Sequence, residues 1–193
     1  MAGHARYTAL LDACVLYPLA MTDALLSLAT SGFFAAKWTT MIENEWVRSL
    51  ERQRPDLIGK LEVRRDSMRA AVPDWEVNEP AWKALVAGLE LPDPDDRHVL
   101  AAAIAGHADC IVTSNLKDFP YSVLSQYGIE AVDPDTFIIN QWDLDPVNAI
   151  AAFKRMRSRR RKPESSAEDF AYALEVGGLP TTAERLRSAS ELI

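Results

Sequence analysis

The sequence predicts an α/β fold with three layers, in which helices cover both faces of a parallel central sheet. Short apolar runs bounded by turn residues alternate with longer segments whose apolar residues recur at helical spacing. The resulting order, β-α-β-α-α-α-α-β-α-β-α, is typical of parallel strands joined by helical crossovers. Acidic residues follow several strands or begin helices, and such residues gather at the carboxyl edge of a parallel sheet.

Four strands are predicted from the short apolar runs. The first run covers residues 7–14, and the others cover 33–38, 110–113 and 129–132. Their apolar character along the whole run fits strands that are buried on both faces of a parallel sheet.

Helices are predicted where apolar residues keep to one helical face. The first follows Pro18 and ends at Ser31-Gly32, and Thr39 or Thr40 caps the second. The next helices are expected over 56–71, 79–89 and 94–107. Helix starts are also predicted from sequence pairs: Asp-Pro at Asp93, Asp133 and Asp145, and a capping box of Thr181 with Glu184.

The chain is expected to divide into a main domain, 1–142, and a C-terminal extension, 143–193, of two or three helices. The net charge of −7 is unevenly spread, because residues 154–162 read KRMRSRRRK. Residues 154–193 hold nine basic and six acidic side chains, whereas residues 1–153 hold 12 basic and 22 acidic ones. An acidic body suits a site that binds cations, and the extension is basic.

Composition excludes several classes of protein and site. Two cysteines and three histidines, all scattered, argue against a disulfide framework or a zinc centre. No apolar run is long enough to span a membrane, and no signal-peptide pattern is present, so we expect a cytoplasmic protein without a membrane partner. The glycine-rich loops of P-loop and dinucleotide-binding proteins are absent as well.

Two aspartates are the strongest candidates for a functional site. Asp12 lies in the apolar run of the first strand, where a carboxylate needs a hydrogen bond, an ion pair or a metal. Asp96 shares a helical face with Val99, Leu100 and Ala103, so it points inward from the first turn of its helix. The alternative, an acid at a helix start with no further role, fits Asp95 better than Asp96.

A third acid is ambiguous, because Glu43 and Glu45 lie on different apolar faces of the same helix. Glu45 shares its face with Ile42 and Ser49, and periodicity alone does not decide between the two glutamates. Gathered carboxylates repel one another and need a cation, so the pattern indicates Mg²⁺ or Mn²⁺ and phosphate-ester chemistry.

Four motifs follow one another over about residues 7–140. They are Leu10-Leu11-Asp12-Ala13-Cys14-Val15-Leu16, Ile42-Glu43-Asn44-Glu45-Trp46, Asp93-Pro94-Asp95-Asp96-Arg97-His98-Val99-Leu100-Ala101-Ala102-Ala103 and Ile111-Val112-Thr113-Ser114-Asn115-Leu116-Lys117-Asp118-Phe119-Pro120. In this order they resemble the PIN-domain ribonucleases, of the kind found as VapC toxins of bacterial type II toxin–antitoxin systems, and the third and fourth motifs are the most specific.

The resemblance implies a PIN-like, Rossmann-like fold for residues 1–142 and a metal-dependent endoribonuclease that hydrolyses RNA phosphodiester bonds. It makes Asp12, Glu45, Asp96 and Asp118 the metal ligands, with Mg²⁺ or Mn²⁺ as the cofactor. Asn115 stands where many family members have an Asp, so either Asn115 or Asp118 fills the fourth acidic position and orients a water. A cognate antitoxin, RNA and a second copy of the chain are the implied partners.

Two questions remain open at the level of sequence. The basic run 154–162 fits either an electrostatic contact with RNA or a helix face that pairs with acids. The acidic site also fits a DNA nuclease or a phosphatase, and a catalytically silent PIN domain that binds RNA or a partner is a further alternative. The four carboxylates argue against the silent form, because a site without a cation gains nothing from acids that repel each other.

Overall fold

A computed structural model describes residues 7–159 and 165–193, which form two compact units. The first unit comprises residues 7–17 and 34–133, and the second comprises the rest of the described residues. The boundary expected between residues 142 and 143 falls inside a helix, and the second unit already takes in residues 18–33. The division of the chain into a nuclease domain and an extension therefore remains a proposal about function.

The first unit contains a sheet of four parallel strands. These are β1 (Thr8–Leu11), β2 (Ala35–Lys37), β3 (Cys110–Val112) and β4 (Glu130–Val132), in the order β2-β1-β3-β4. Ala9 of β1 lies opposite Ala36 on one side and Cys110 on the other. The three apolar residues of β1 are fully buried. The predicted α/β class with a parallel central sheet is confirmed.

The described residues include eleven α-helices. In chain order they are α1 (Ala13–Leu16), α2 (Leu19–Thr30), α3 (Thr40–Gln53), α4 (Glu62–Ala71), α5 (Glu79–Trp82), α6 (Arg97–Ala105), α7 (Tyr121–Leu124), α8 (Pro134–Leu144), α9 (Pro146–Ser158), α10 (Ala167–Val176) and α11 (Pro180–Ser188). Two or three helices are expected after residue 143, and the described residues there form three, α9, α10 and α11. None of the described helices combines the length and the apolar character that a membrane crossing requires.

The first predicted strand is too long at its C-terminal end. β1 stops at Leu11, and the apolar residues after Asp12 form α1 instead. Asp12 causes the change, because its side chain accepts a hydrogen bond from the backbone N–H of Ala13 and caps the new helix. The helix predicted over 94–107 likewise begins with a separate 3₁₀ turn, Pro94–Asp96, before α6.

The second unit is built around α2, which packs against α8, α9 and α10. Its apolar face includes Leu25 and Leu28, both fully buried. The basic run begins in α9 of this unit, where Arg155 donates to Ser31 Oγ at 2.9 Å and Arg159 to Asp23 Oδ1 at 2.6 Å. The contact between Arg159 and Asp23 is an ion pair of the kind that the second interpretation of the run expects. Residues 160–162 lie outside the described part of the chain.

The last helix, α11, is capped by a carboxylate from a distant helix. Asp135 of α8 is 6% exposed and accepts hydrogen bonds from the backbone N–H groups of Thr181 (2.6 Å) and Thr182 (2.9 Å) and from the Thr182 hydroxyl (2.6 Å). The capping box expected from Thr181 and Glu184 is wrong, since the N-cap position is Leu179 and makes no side-chain hydrogen bond.

We predict that Asp135→Ala lowers the free energy of unfolding by about 2–4 kcal/mol, because it leaves two backbone N–H groups and a buried hydroxyl without their hydrogen-bond acceptor. Asp145→Ala is the control, since the Asp145 carboxylate caps α9 through one backbone N–H, that of Asn148, and also accepts from the Asn148 side-chain amide. The loss of such a cap costs about 1 kcal/mol. Urea unfolding of both variants measures the difference. Equal losses would show that the Asp135 contacts add nothing beyond an ordinary helix cap.

Candidate metal centre

The site starts at the carboxyl end of the central strand, where β1 passes into α1. The Asp12 carboxylate is 7% exposed and accepts hydrogen bonds from Ala13 N at 2.6 Å, from Thr113 Oγ1 at 2.7 Å and from Cys14 Sγ at 3.0 Å. Thr113 follows β3, the strand that pairs with β1. The parallel pairing of these strands therefore brings the two side chains together and fixes the orientation of the carboxylate.

Three further carboxylates form a close cluster. One oxygen each of Asp93, Asp96 and Asp118 lies within 4.8 Å of the other two. Asp93 caps the 3₁₀ turn before α6 and Asp96 ends it, and Asp118 ends a second 3₁₀ turn, Leu116–Asp118, after β3. Three oxygen ligands at this separation suit a hard divalent cation such as Mg²⁺, Mn²⁺ or Ca²⁺.

The surroundings of Asp96 are unfavourable to its negative charge. Burial, followed by the negative charges of Asp12, Asp93 and Asp118, raises the pKa of Asp96 from 3.8 to about 6, while His98 opposes the shift. Its Oδ2 atom is buried and has no hydrogen-bond partner in the described part of the chain. A buried carboxylate oxygen without a partner is costly, and a bound cation would remove that cost. The residues present therefore fit a divalent metal.

The loop after β3 settles the arrangement of Asn115 and Asp118. Asn115 Nδ2 donates a hydrogen bond to Asp118 Oδ2, and the backbone N–H of Asn115 donates to Thr113 Oγ1 at 3.0 Å. Asp118 thus belongs to the acidic cluster, and Asn115 holds it in place. Through Thr113, the same loop also reaches Asp12, so one short segment orients two carboxylates.

The two glutamates of α3 have different surroundings. Glu43 is fully buried, and its carboxylate accepts hydrogen bonds from Trp38 Nε1 at 3.0 Å, Arg65 Nη2 at 3.3 Å and Arg69 Nε at 3.1 Å. Its charge is balanced by two arginines, as expected of a structural ion pair. The Glu45 carboxylate is 34% exposed, so it remains accessible to a ligand.

His98 connects Glu45 to the helix that follows Asp96. His98 Nε2 lies 2.7 Å from Glu45 Oε1, whereas Nδ1 is buried without a partner in the described residues. The imidazole is 3% exposed and lies beside the ring of Trp82, with 6.2 Å between the ring centroids. His98 therefore fixes the position of α3 relative to α6 at the edge of the site.

The structure thus places the predicted residues in three groups. Asp96 and Asp118 lie in the cluster, and Asp12 is close enough to raise the pKa of Asp96. Glu45 is not a member of the 4.8 Å cluster and contacts His98. Sequence reasoning assigned Asp93 only to a helix cap. Asp93 is three residues before Asp96, and residues at this spacing lie on the same side of a helical turn. This spacing was the signal that the two aspartates share a face.

We predict that Asp96→Asn stabilises the metal-free protein at pH 7.5. The folded-state pKa of Asp96 is raised to about 6, which makes its ionisation unfavourable in the folded protein. The free energy of unfolding of the wild type therefore falls as the pH rises from about 4 through 6. Asn removes that loss, for a gain of about 1–2 kcal/mol after allowing for partial solvent screening. Urea unfolding in chelator should show the gain at pH 7.5 and less than half of it at pH 4.5. A gain that does not depend on pH would contradict the assigned pKa.

We predict opposite effects from substituting the two glutamates of α3. Glu43→Gln should lower the free energy of unfolding by about 2–3 kcal/mol, because it leaves two partly buried arginines without their counter-charge. Glu45→Gln should change stability by less than about 1 kcal/mol but weaken Mn²⁺ binding. Unfolding and Mn²⁺ titration of both variants make the comparison. Stronger loss of Mn²⁺ binding in Glu43→Gln than in Glu45→Gln would reverse the assignment.

Comparison with known proteins identifies families in both parts of the chain. Residues 8–117 match the model of the PIN domain, and residues 134–188 match that of the VapC50 C-terminal domain. The "Putative ribonuclease VapC50" of Mycobacterium tuberculosis is 55% identical over 49 residues, which are 25% of this chain and 29% of that protein. The matched segment thus spans less than a third of the relative's length. No solved structure matches the chain significantly.

The resemblance inferred from the four motifs agrees with these matches. The PIN-domain match includes Asp12, Glu45 and Asp96 and ends one residue before Asp118, and the second match begins at the first residue of α8. Because the PIN-domain model covers more than half of the sequence, the chain belongs to the PIN-domain family, as a VapC-type member with a C-terminal extension.

Proposed function

We propose that the chain is a metal-dependent endoribonuclease that hydrolyses RNA phosphodiester bonds and serves as the toxin of a toxin–antitoxin module. The observation that carries the proposal is the acidic cluster with a buried, unpartnered Asp96 oxygen. Support for RNA as the substrate comes from the PIN-domain match and from a relative whose name includes the word ribonuclease.

Mg²⁺ or Mn²⁺ is the proposed cofactor, held by Asp96 and Asp118 with Asp12 and Glu45 as the further predicted ligands. Asp93 joins this set on the strength of its distance to Asp96 and Asp118. The bound cation would lower the pKa of a water molecule and offset negative charge on the phosphate. All the candidate ligand atoms are carboxylate oxygens, which such cations prefer.

The chain's own side chains supply orientation. Thr113 and the N–H of Ala13 fix the Asp12 carboxylate, so it needs little rearrangement when substrate arrives. Asn115 fixes Asp118, and the oxygen of Asp118 that is not bonded to Asn115 is free to orient a water for in-line attack. Preorganised oxygens of this kind lower the cost of reaching the charged transition state.

A cognate antitoxin, a homodimer and a cytoplasmic location complete the proposal. They rest on the VapC-type match and the inferred family pattern. The antitoxin would inhibit the enzyme by filling the groove that holds the acidic cluster. Co-purification with the product of a neighbouring small gene would test this part separately from the chemistry.

We predict RNA cleavage that requires Mg²⁺ or Mn²⁺ and stops in excess chelator. Asp96→Asn and Asp118→Asn should each reduce the single-turnover rate at least about a hundredfold, in line with the loss of a group that stabilises transition-state charge. Asp95→Asn is the matched control, because Asp95 is exposed, lies next to Asp96 in sequence and stands outside the cluster. It should retain near-wild-type activity.

Gel assays with an RNA, a DNA of the same sequence and a phosphomonoester distinguish the alternatives. Cleavage of DNA alone would identify a DNA nuclease instead of a ribonuclease. Release of phosphate from the phosphomonoester alone would identify a phosphatase. Full RNA cleavage in chelator would refute the metal mechanism. RNA binding without any cleavage would identify the silent form of the domain.

A further inference from the structure

Beside the acidic site lies a pocket of about 530 Å³, and most of its lining residues have no part in the proposed mechanism. Volumes of this size are typical of sites for small organic ligands. Its lining comes from α1, the turn after it, and α3: Ala13, Cys14, Tyr17, Glu45, Trp46, Arg48, Ser49, Arg52 and Gln53. Because Glu45 is a candidate metal ligand and Cys14 donates to Asp12, the pocket adjoins the proposed point of cleavage.

The pocket carries positive charge within an acidic unit. Arg48 and Arg52 are exposed and have no hydrogen bond or ion pair to any described residue, and Glu45 is the only acid among the lining residues. By sequence, residues 1–17 and 34–133 contain 18 acidic and 12 basic side chains. Arg48 and Arg52 lie four residues apart on one face of α3, separated by about 6 Å along the helix axis.

The remaining polar atoms of the pocket are mainly donors. The Tyr17 hydroxyl donates to Gln53 Oε1 at 2.6 Å, which leaves the Gln53 amide N–H₂ group without a described partner. The Ser49 hydroxyl and the buried indole N–H of Trp46 also have no partner among the described residues. A ligand that fits these groups needs several acceptors, negative charge and a flat apolar part.

The wall beneath these groups is held rigid. The Arg64 guanidinium lies over the Trp46 ring, 4.6 Å from its centroid, and donates to the carbonyl oxygens of Leu16 at 2.6 Å and Tyr17 at 3.2 Å. α4 thereby fixes the end of α1 against α3. A pocket with fixed walls binds a ligand without the cost of ordering its side chains.

We propose that this pocket binds one nucleotide of the RNA substrate next to the scissile phosphate. The base lies against Tyr17, with Ser49 and Gln53 donating to its edge, and Arg48 and Arg52 contact the adjoining phosphates. Aromatic and guanidinium planes stack on unpaired bases, and arginine pairs with phosphate in two-point contacts. The proposal rests on the ribonuclease function, and it makes the pocket a determinant of which RNA sequence is cut.

The test uses Asp96→Asn protein in excess chelator, so that RNA stays intact, and a fluorescent single-stranded RNA as the probe. Adding R48Q/R52Q should weaken binding at least about tenfold and reduce the slope of log K against log salt by about 1.4, the value for two phosphate contacts on a single strand. The control R54Q/K60Q removes the same charge from exposed residues that do not line the pocket. This control should reduce the salt slope by less than half of the reduction expected for R48Q/R52Q.

A second variant fills the pocket without changing its charge. Ser49→Leu should raise the Kd for RNA about tenfold or more through loss of base stacking and a hydrogen bond, with the salt slope unchanged. In the active protein, the same change should raise KM and leave the single-turnover rate at saturation near that of the wild type. Thermal melting of each variant checks that the fold is retained.

The outcomes distinguish a failure of the pocket assignment from a failure of the proposed ribonuclease function. If the Asp96→Asn protein binds no RNA, both the ribonuclease function and the pocket assignment are overturned. If it binds RNA and neither R48Q/R52Q nor Ser49→Leu weakens that binding, the pocket assignment is overturned while the ribonuclease stands. The same result accompanied by weaker binding of a partner protein would assign the pocket to that protein instead.

Discussion

The hydrogen bond between Asp12 and Thr113 is the interaction on which the rest of the site depends. It joins the ends of two parallel strands at the point where their backbone pairing stops. The same carboxylate starts α1, and the end of α1 is in turn fastened to α4 by Arg64. Asn115 reaches Thr113 as well. One buried acid therefore terminates a strand, begins a helix and anchors the loop that carries Asp118.

Glu43, which is fully buried, and Asp96, which is partly buried, have opposite surroundings in the first unit. Glu43 is surrounded by donors, and two arginines balance its charge. Asp96 has acids for neighbours and an oxygen without a partner. The first arrangement stabilises the packing of α3 on α4, whereas the second is unfavourable until a cation arrives. Local conflict of this kind is expected where a protein binds or reacts.

Much of the fold could be predicted from the sequence, because the apolar runs and the helical periodicity are local signals. The strands, the parallel class and the positions of Asp12 and Asp96 follow from them. The rest depended on contacts between distant residues. Glu43 and Glu45 each share a face of α3 with apolar residues, and the arginines that pair with Glu43 lie more than twenty residues away in sequence. The cap of α11 comes from Asp135, 46 residues earlier, which no motif reveals. The change from strand to helix at Asp12 required knowledge of its side-chain hydrogen bonds.

The membership of α2 in the second unit has a consequence for how the protein is made. α2 leaves the ribosome more than a hundred residues before α8, α9 and α10, the helices against which its apolar face packs. Domains usually fold as they emerge, but this unit is interrupted in sequence by most of the first one. Its core can close only after α8, α9 and α10 have been synthesised. A chain that stops before these helices would expose Leu25 and Leu28 and become a target for chaperones and proteases, so truncated forms of the protein would be removed rather than accumulate.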